Sequence, residues 1–240
     1  MGDNTLVLGH RVSEWCGHAP VLEEDIALAN TALDLIGQTQ MWLGLAGEVE
    51  GNHRSADDLA MFRDAWDFRN VLLVEQPNGD FGQTIMRQFL FDAWHVLALE
   101  HLQKSSDTRV AAIAEKASKE AAYHLDRSRD SVIALGDGTA ESRRRMQAAL
   151  DLLYPYAGEF FAVDSVDTAM ADQSIAPDPT TLRASYDVCV ETALAEATLV
   201  LPESRFAHKG GKTGARHSEH LGHMLTQMQW LQRAYPGAAW

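Results

Sequence analysis

Apolar residues recur every three or four positions through most of this chain, and nowhere do they alternate over a useful length. That period is helical. It confines the chain to helix packed on helix, whatever else it does. Between Val21 and about Glu48, the stripe is Ile26, Ala29, Leu33, Ile36 and Leu43. A second helix begins near Gln83, with Ile85, Phe89, Val96 and Leu99 along one face. The best strand candidate, Val71-Leu72-Leu73-Val74, is too short to found a sheet.

Glycine, proline and small polar residues mark the breaks. Cys16-Gly17-His18-Ala19-Pro20 closes a short first segment. Ser55 is predicted to cap a helix running through Asp64 and Asp67. Gln76 to Asp80 is turn chemistry. Ser105-Ser106-Asp107 precedes a helix to about Leu135, which Gly136 to Thr139 closes. Helices are predicted at about 140–156 and 158–170 and, after the Ala176 to Pro179 linker, from Thr180 to Leu199. Leu201 to Ala215 holds Pro202 and three glycines and reads as a loop; the last helix runs from His217 to Arg233. No shift in composition divides these helices. The expectation is one all-α domain over residues 1–240, a four-helix bundle with additional C-terminal helices.

Acidic residues number 34 and basic residues 20, a formal net charge of −14. Nucleic acid and anionic membrane both reward basic patches, so neither is an expected partner. No apolar run is long enough to span a bilayer. Met1-Gly2-Asp3-Asn4 lacks the charged start of a signal peptide. Cys16 and Cys189 form no paired motif. Two reduced thiols in a cytoplasmic protein are the expectation.

Four acidic or near-acidic points recur at nearly even intervals: Asp34, Asp64, Asp92 and the segment around Ala121 to His124. Even spacing places them at similar height in neighbouring helices of a bundle. Asp92 falls inside its apolar stripe, and Val110-Ala114-Ala117-Ala121-His124 is another. Several acids and one histidine are thereby expected to face the interior. This is the pattern of ferritin-like di-metal sites, which take a Glu from each of two helices and Glu-x-x-His from the other two. Here Asp34 and Asp92 stand for the single acids, Asp64-Ala65-Trp66-Asp67 for one Glu-x-x-His, and Ala121-Ala122-Tyr123-His124 for the other. One histidine has become Asp67, and one glutamate has become Ala121, which ligates nothing. The set reads as vestigial ligand positions or as buried polar residues that need partners of their own. Asp92-x-x-His95 and Glu120-x-x-x-His124 are further pairs, of a kind most often hydrogen-bonded or solvated.

Glu14-Trp15-Cys16-Gly17-His18-Ala19-Pro20, Leu73-Val74-Glu75-Gln76-Pro77-Asn78-Gly79, Asp92-Ala93-Trp94-His95, Lys119 to Leu125, Ser218-Glu219-His220-Leu221-Gly222 and the ending from Pro236 to Trp240 resemble the C-subunit family of the ring 1,2-phenylacetyl-CoA epoxidase. The resemblance covers nearly the whole chain. It implies a ferritin-like, non-catalytic structural subunit of a bacterial multicomponent monooxygenase in aerobic phenylacetate catabolism. It implies a related A subunit as partner, carrying the di-iron centre and the substrate pocket. A separate reductase with NADPH, flavin and an iron–sulfur cluster would supply electrons. No cofactor and no catalytic residue are then expected in this chain. The alternative is a chain that itself binds a di-metal centre at Asp34, Asp64, Asp67, Asp92 and His124 and acts as an oxygenase or oxidase.

Lys209-Gly210-Gly211-Lys212-Thr213-Gly214 invites a phosphate-binding reading, but a P-loop would need glycine where Phe206 stands. A basic loop in which Lys209 and Lys212 meet an acyl-CoA phosphate is the remaining form of that idea, against a solvated loop. His217, His220 and His223 share a spacing that suits a metal stripe or, more simply, an interface stripe. Trp15, Trp42, Trp66, Trp94, Trp230 and Trp240 are expected as core and interface anchors.

Overall fold

The computed structural model describes residues 1–203 and 206–238, and every regular element among them is helical, as expected. In chain order the α-helices are α1 (Gly2–Ser13), α2 (Leu22–Glu50), α3 (Ala56–Met61), α4 (Leu72–Glu75), α5 (Phe81–Leu102), α6 (Thr108–Gly136), α7 (Ala140–Ala157), α8 (Ser165–Asp172), α9 (Arg183–Glu196) and α10 (Glu219–Ala234). They sort into two compact units. One is Met1–Pro77 joined by the chain from Gly210 onward; the other is Asn78–Lys209. Among the described residues, no helix is long and apolar enough to cross a membrane. Trp240 lies outside the described residues.

In the first unit α1 lies along α2. Gly9 permits the close approach, because a Cβ there would fall 3.2 Å from Leu35 Cβ and 3.4 Å from the Ala32 carbonyl oxygen. The hydroxyls of Thr5 and Thr39 share a 2.9 Å hydrogen bond across the seam. The buried row of α2 is Leu28, Leu35, Trp42 and Leu43. This corrects the sequence reading: Ile26, Leu33 and Ile36 are exposed, Leu33 at 66%. The helix carries two apolar rows, and period alone does not say which one meets α1.

Ser55 caps α3 as predicted. Its hydroxyl accepts from the Asp58 amide at 3.1 Å while the Asp58 carboxylate accepts from the Ser55 amide at 2.8 Å. The helix does not continue through Asp64 and Asp67. It stops at Met61, and a single 3-10 turn follows at Ala65–Asp67. Aspartates compete for backbone amides in this way, which favours turns over helix interiors. The strand candidate is instead the short helix α4. Gln229 of α10 donates to the carbonyls of Ala60 and Arg63 at 2.9 and 3.0 Å, satisfying groups left open at the end of α3.

The second unit is built around α5, flanked by α6, α7 and α9 and buried along most of its length. Asp80 caps α5, accepting the Gln83 amide at 2.9 Å. An aromatic cluster fills one side: Trp94 stacks on Phe160 at 4.8 Å, and Phe161 meets Tyr186 edge-on at 5.1 Å. The helix predicted at about 158–170 is in fact two pieces, a 3-10 turn at Gly158–Phe161 and then α8. Asp164 restarts the helix by accepting the amides of Val166 and Asp167 at 2.8 and 2.9 Å. Gly136 lets the end of α6 approach the end of α9, since a Cβ would sit 2.4 Å from the Ala197 carbonyl oxygen.

Candidate functional site

Asp92 is fully buried on α5 and is held from both sides. Gln88, one turn earlier, donates to Oδ1 at 2.7 Å, and Ser128 of α6 donates to Oδ2 at 2.8 Å. Burial pushes the carboxyl up from 3.8 to about 6, against the opposing pull of His124, the bonds from Ser128 and Gln88, and Arg127. His124 is 2% exposed and stands on the same α6 face as Ala117, Ala121 and Ser128. Asp92 and His124 are the sequence-predicted residues that the α5–α6 seam brings together.

His95, also on α5, completes this seam. It is fully buried, and neither ring nitrogen has a hydrogen-bond partner among the described residues. Burial, with repulsion from His124, pushes it down to about 3, so it is a neutral ring at ordinary pH. It packs as an aromatic, 4.9 Å from Phe91 and stacked near Trp94 at 6.2 Å. The sequence paired it with Asp92 by spacing alone and expected a bonded or solvated group; it is neither.

Of the remaining ligand positions, Ala121 belongs to the α6 side of the seam and the other three belong to the first unit. Ala121 presents a fully buried methyl. Asp64 is an exposed turn residue: its side chain is 76% accessible and accepts from Arg233 at 2.9 Å. Asp67 accepts the Asp64 amide at 3.0 Å, so these two acids cap each other's turn rather than share an ion. Asp34 is half-buried on α2, in the first unit. Among the described residues, no group of three or more His, Cys, Asp or Glu side chains is arranged to hold a metal ion. A di-iron centre needs bridging carboxylates. A methyl at Ala121 and a carboxylate already bonded at both oxygens do not fit that centre.

A second polar cluster, in the first unit, escaped the sequence reading. Glu75 is fully buried at the end of α4. Its carboxylate accepts from His217 Nδ1 at 2.6 Å, from the Ser218 amide and hydroxyl at 2.7 and 2.6 Å, and from Asn70 at 2.9 Å. Arg11 ties the same place to the chain, donating to the carbonyls of Glu75 and His220 at 3.1 and 3.2 Å. A glutamate directly after the apolar run Val71 to Val74 was the available signal, since a buried carboxylate demands donors. The histidine stripe dissolves. His217 precedes α10 and is buried against Glu75, while His223 lies exposed on the helix.

Lys209 is exposed and ends the second unit, and Lys212 is half-buried in the first. The loop amides of Gly214, Ala215 and Arg216 donate to the carbonyls of Gly211 and Gly210 at 2.8, 2.9 and 3.2 Å. These three amides are occupied and are not free to cradle a phosphate in the way P-loop amides do. Trp42 and Trp94 are buried anchors as expected, whereas Trp66 and Trp230 are largely exposed.

Compared with known proteins, residues 1–240 match the family described as "Phenylacetic acid catabolic protein". The chain is 49% identical over 240 residues to the C-subunit of 1,2-phenylacetyl-CoA epoxidase from Escherichia coli (strain K12), with all of this chain and 96% of the relative aligned.

Proposed function

Because this chain belongs to the phenylacetic acid catabolic protein family, we propose that it is a non-catalytic, ferritin-like subunit of a phenylacetyl-CoA epoxidase. It pairs with a related subunit that carries the di-iron centre and the substrate pocket, and a reductase with NADPH, flavin and an iron–sulfur cluster feeds that centre. The observation that carries the non-catalytic role is Ala121, a buried methyl beside His124 where the ligand pattern requires a carboxylate. The chain's own part is to hold its partner in shape. An exposed apolar row on α2, Leu22, Ile26, Leu33 and Ile36, supports this, since rows of that kind mark interaction surfaces. Two free thiols at Cys16 and Cys189 suit a cytoplasmic setting.

Iron analysis of the purified chain, alone and after co-expression with the metal-bearing subunit, tests the reading. The expected result is almost no iron in the chain alone and iron in the pair. Stoichiometric iron in the chain alone, lost in Asp92→Ala and His124→Ala, would establish the opposite reading, a chain that is itself the oxygenase. Lys209 and Lys212 have a separate test in the assembled complex. Exchanging both for alanine weakens acyl-CoA binding if their ammonium groups meet its phosphates, and leaves it unchanged if they do not.

A further inference from the structure

Asn78-Gly79, between α4 and α5, is the only asparagine–glycine pair in the chain; Asn4, Asn30, Asn52 and Asn70 precede Thr5, Thr31, His53 and Val71. The Asn78 side-chain oxygen accepts from Arg87 Nη2 at 2.6 Å. Arg87 is fully buried, so little solvent weakens the pull of its charge on that amide carbonyl. Gly79 is exposed and stands at a φ of 57°, and a Cβ there would fall 2.2 Å from Gln83 Oε1. Glycine suits this backbone, and it leaves its own amide nitrogen unshielded by a side chain. Among the described residues, no backbone hydrogen bond holds the Gly79 amide. An exposed nitrogen and a carbonyl polarised by a cation therefore belong to adjacent residues.

We propose that Asn78 is a self-modification site, where the Gly79 nitrogen displaces the side-chain amide as ammonia and water completes the change to an acid. The Gly79 nitrogen gives its proton to hydroxide and bonds to Asn78 Cγ. The carbonyl electron pair moves onto Oδ1, where the Arg87 guanidinium stabilises it. The pair then returns, the Cγ–Nδ2 bond breaks, and ammonia leaves with a proton from water. The product is a succinimide ring, closed within two adjacent residues and so without any encounter step. Water opens the ring at either carbonyl. Breaking the bond from Gly79 nitrogen to Cγ leaves aspartate; breaking the bond to the main-chain carbonyl carbon leaves isoaspartate. Water is consumed, ammonia is released, and nothing is oxidised or reduced. Aspartate sets a carboxylate opposite Arg87 in place of an amide. Isoaspartate lengthens the backbone just before the Asp80 cap of α5 and disturbs the 2.9 Å bond from Thr84 Oγ1 to the Asn78 carbonyl.

Incubating the full chain in heavy-oxygen water at mildly alkaline pH, then mapping its peptides by mass spectrometry, tests this. Acid carrying the heavy oxygen is expected at Asn78 and at no other asparagine. Asn78→Asp, digested alongside, is the standard that separates aspartate from isoaspartate. The folded chain is expected to convert about ten-fold faster than the same chain held unfolded in urea, or than a synthetic peptide with the sequence of Glu75 to Phe81. A single donor to an oxyanion is worth roughly a hundred-fold or more in an enzyme, and the hold of Thr84 on the Asn78 carbonyl offsets part of that here. Arg87→Gln is expected to bring the folded rate down to the peptide's. Should that variant not fold, the comparison of folded parent, unfolded parent and peptide still decides. No heavy oxygen at Asn78, a folded rate at or below the peptide's, or an unchanged rate in folded Arg87→Gln overturns the proposal.

Discussion

Ser128 Oγ donates to Asp92 Oδ2 at 2.8 Å, joining α6 to α5 through a carboxylate that has no access to solvent. The bond holds the acid in place but does not make the charge comfortable, because desolvation still dominates.

The pH dependence follows from that imbalance. The folded value of Asp92, about 6, lies above the unfolded 3.8, so the folded chain holds this proton more tightly. Its stabilisation is complete below about pH 4 and is lost as pH rises through about 6. At about 1.4 kcal/mol per pH unit the loss is about 3 kcal/mol. Asp92→Asn is therefore expected to match the parent near pH 3 and to exceed it in stability at pH 8, by urea titration. A variant less stable at both would mean that the carboxylate has an ionic partner.

His95→Leu removes two ring nitrogens that have no hydrogen-bond partner among the described residues and keeps the volume similar. The expected change in stability is neutral to favourable, by about 1 kcal/mol at most. A loss above about 2 kcal/mol would show that the nitrogens hold an internal partner such as a buried water.

Ala121→Glu would restore the missing ligand type at a site with no access to solvent. It is expected to lower stability by about 3 kcal/mol or more, from overpacking and a buried charge. Ferrous iron is expected not to restore the melting temperature; recovery with iron would show a latent metal site.

Glu75→Ala leaves His217, Ser218 and Asn70 without their shared acceptor. The expected loss is about 3–5 kcal/mol. Hydrogen exchange is expected to speed most at the start of α10 and around Asn70. A uniform change along the chain would argue against a local clamp.

Leu33→Lys places a charge in the exposed apolar row of α2. Stability of the isolated chain is expected to stay within about 0.5 kcal/mol. Co-purification with the proposed metal-bearing partner is expected to fall sharply. Undiminished pairing would move the interface elsewhere.

Much of the fold was legible because helical period and capping chemistry are local. Ser55 could be read as a cap from its own side chain and that of Asp58. Asp64 and Asp67 were misread for the same local reason: spacing put them on a helix, but their side chains bond amides three residues away and end it. Asp92 and His124 were legible as interior residues because apolar neighbours flank them at helical spacing. Ser128 and Gln88 were not, since a hydroxyl or amide on a mixed face gives no sign of what it will reach. The Glu75 cluster joins residues that are 142 positions apart, beyond the reach of any pattern read along the chain.

That separation also orders events in time. Asn78–Lys209 is one continuous stretch, so a growing chain has all of that unit's contacts available before the last residues are made. The unit containing Glu75 is discontinuous. Its carboxylate has to wait, solvated, until His217 and Ser218 leave the ribosome. Premature termination after Lys209 would therefore damage the beginning of the chain more than its middle, and the first symptom would be an acid buried too early or not at all.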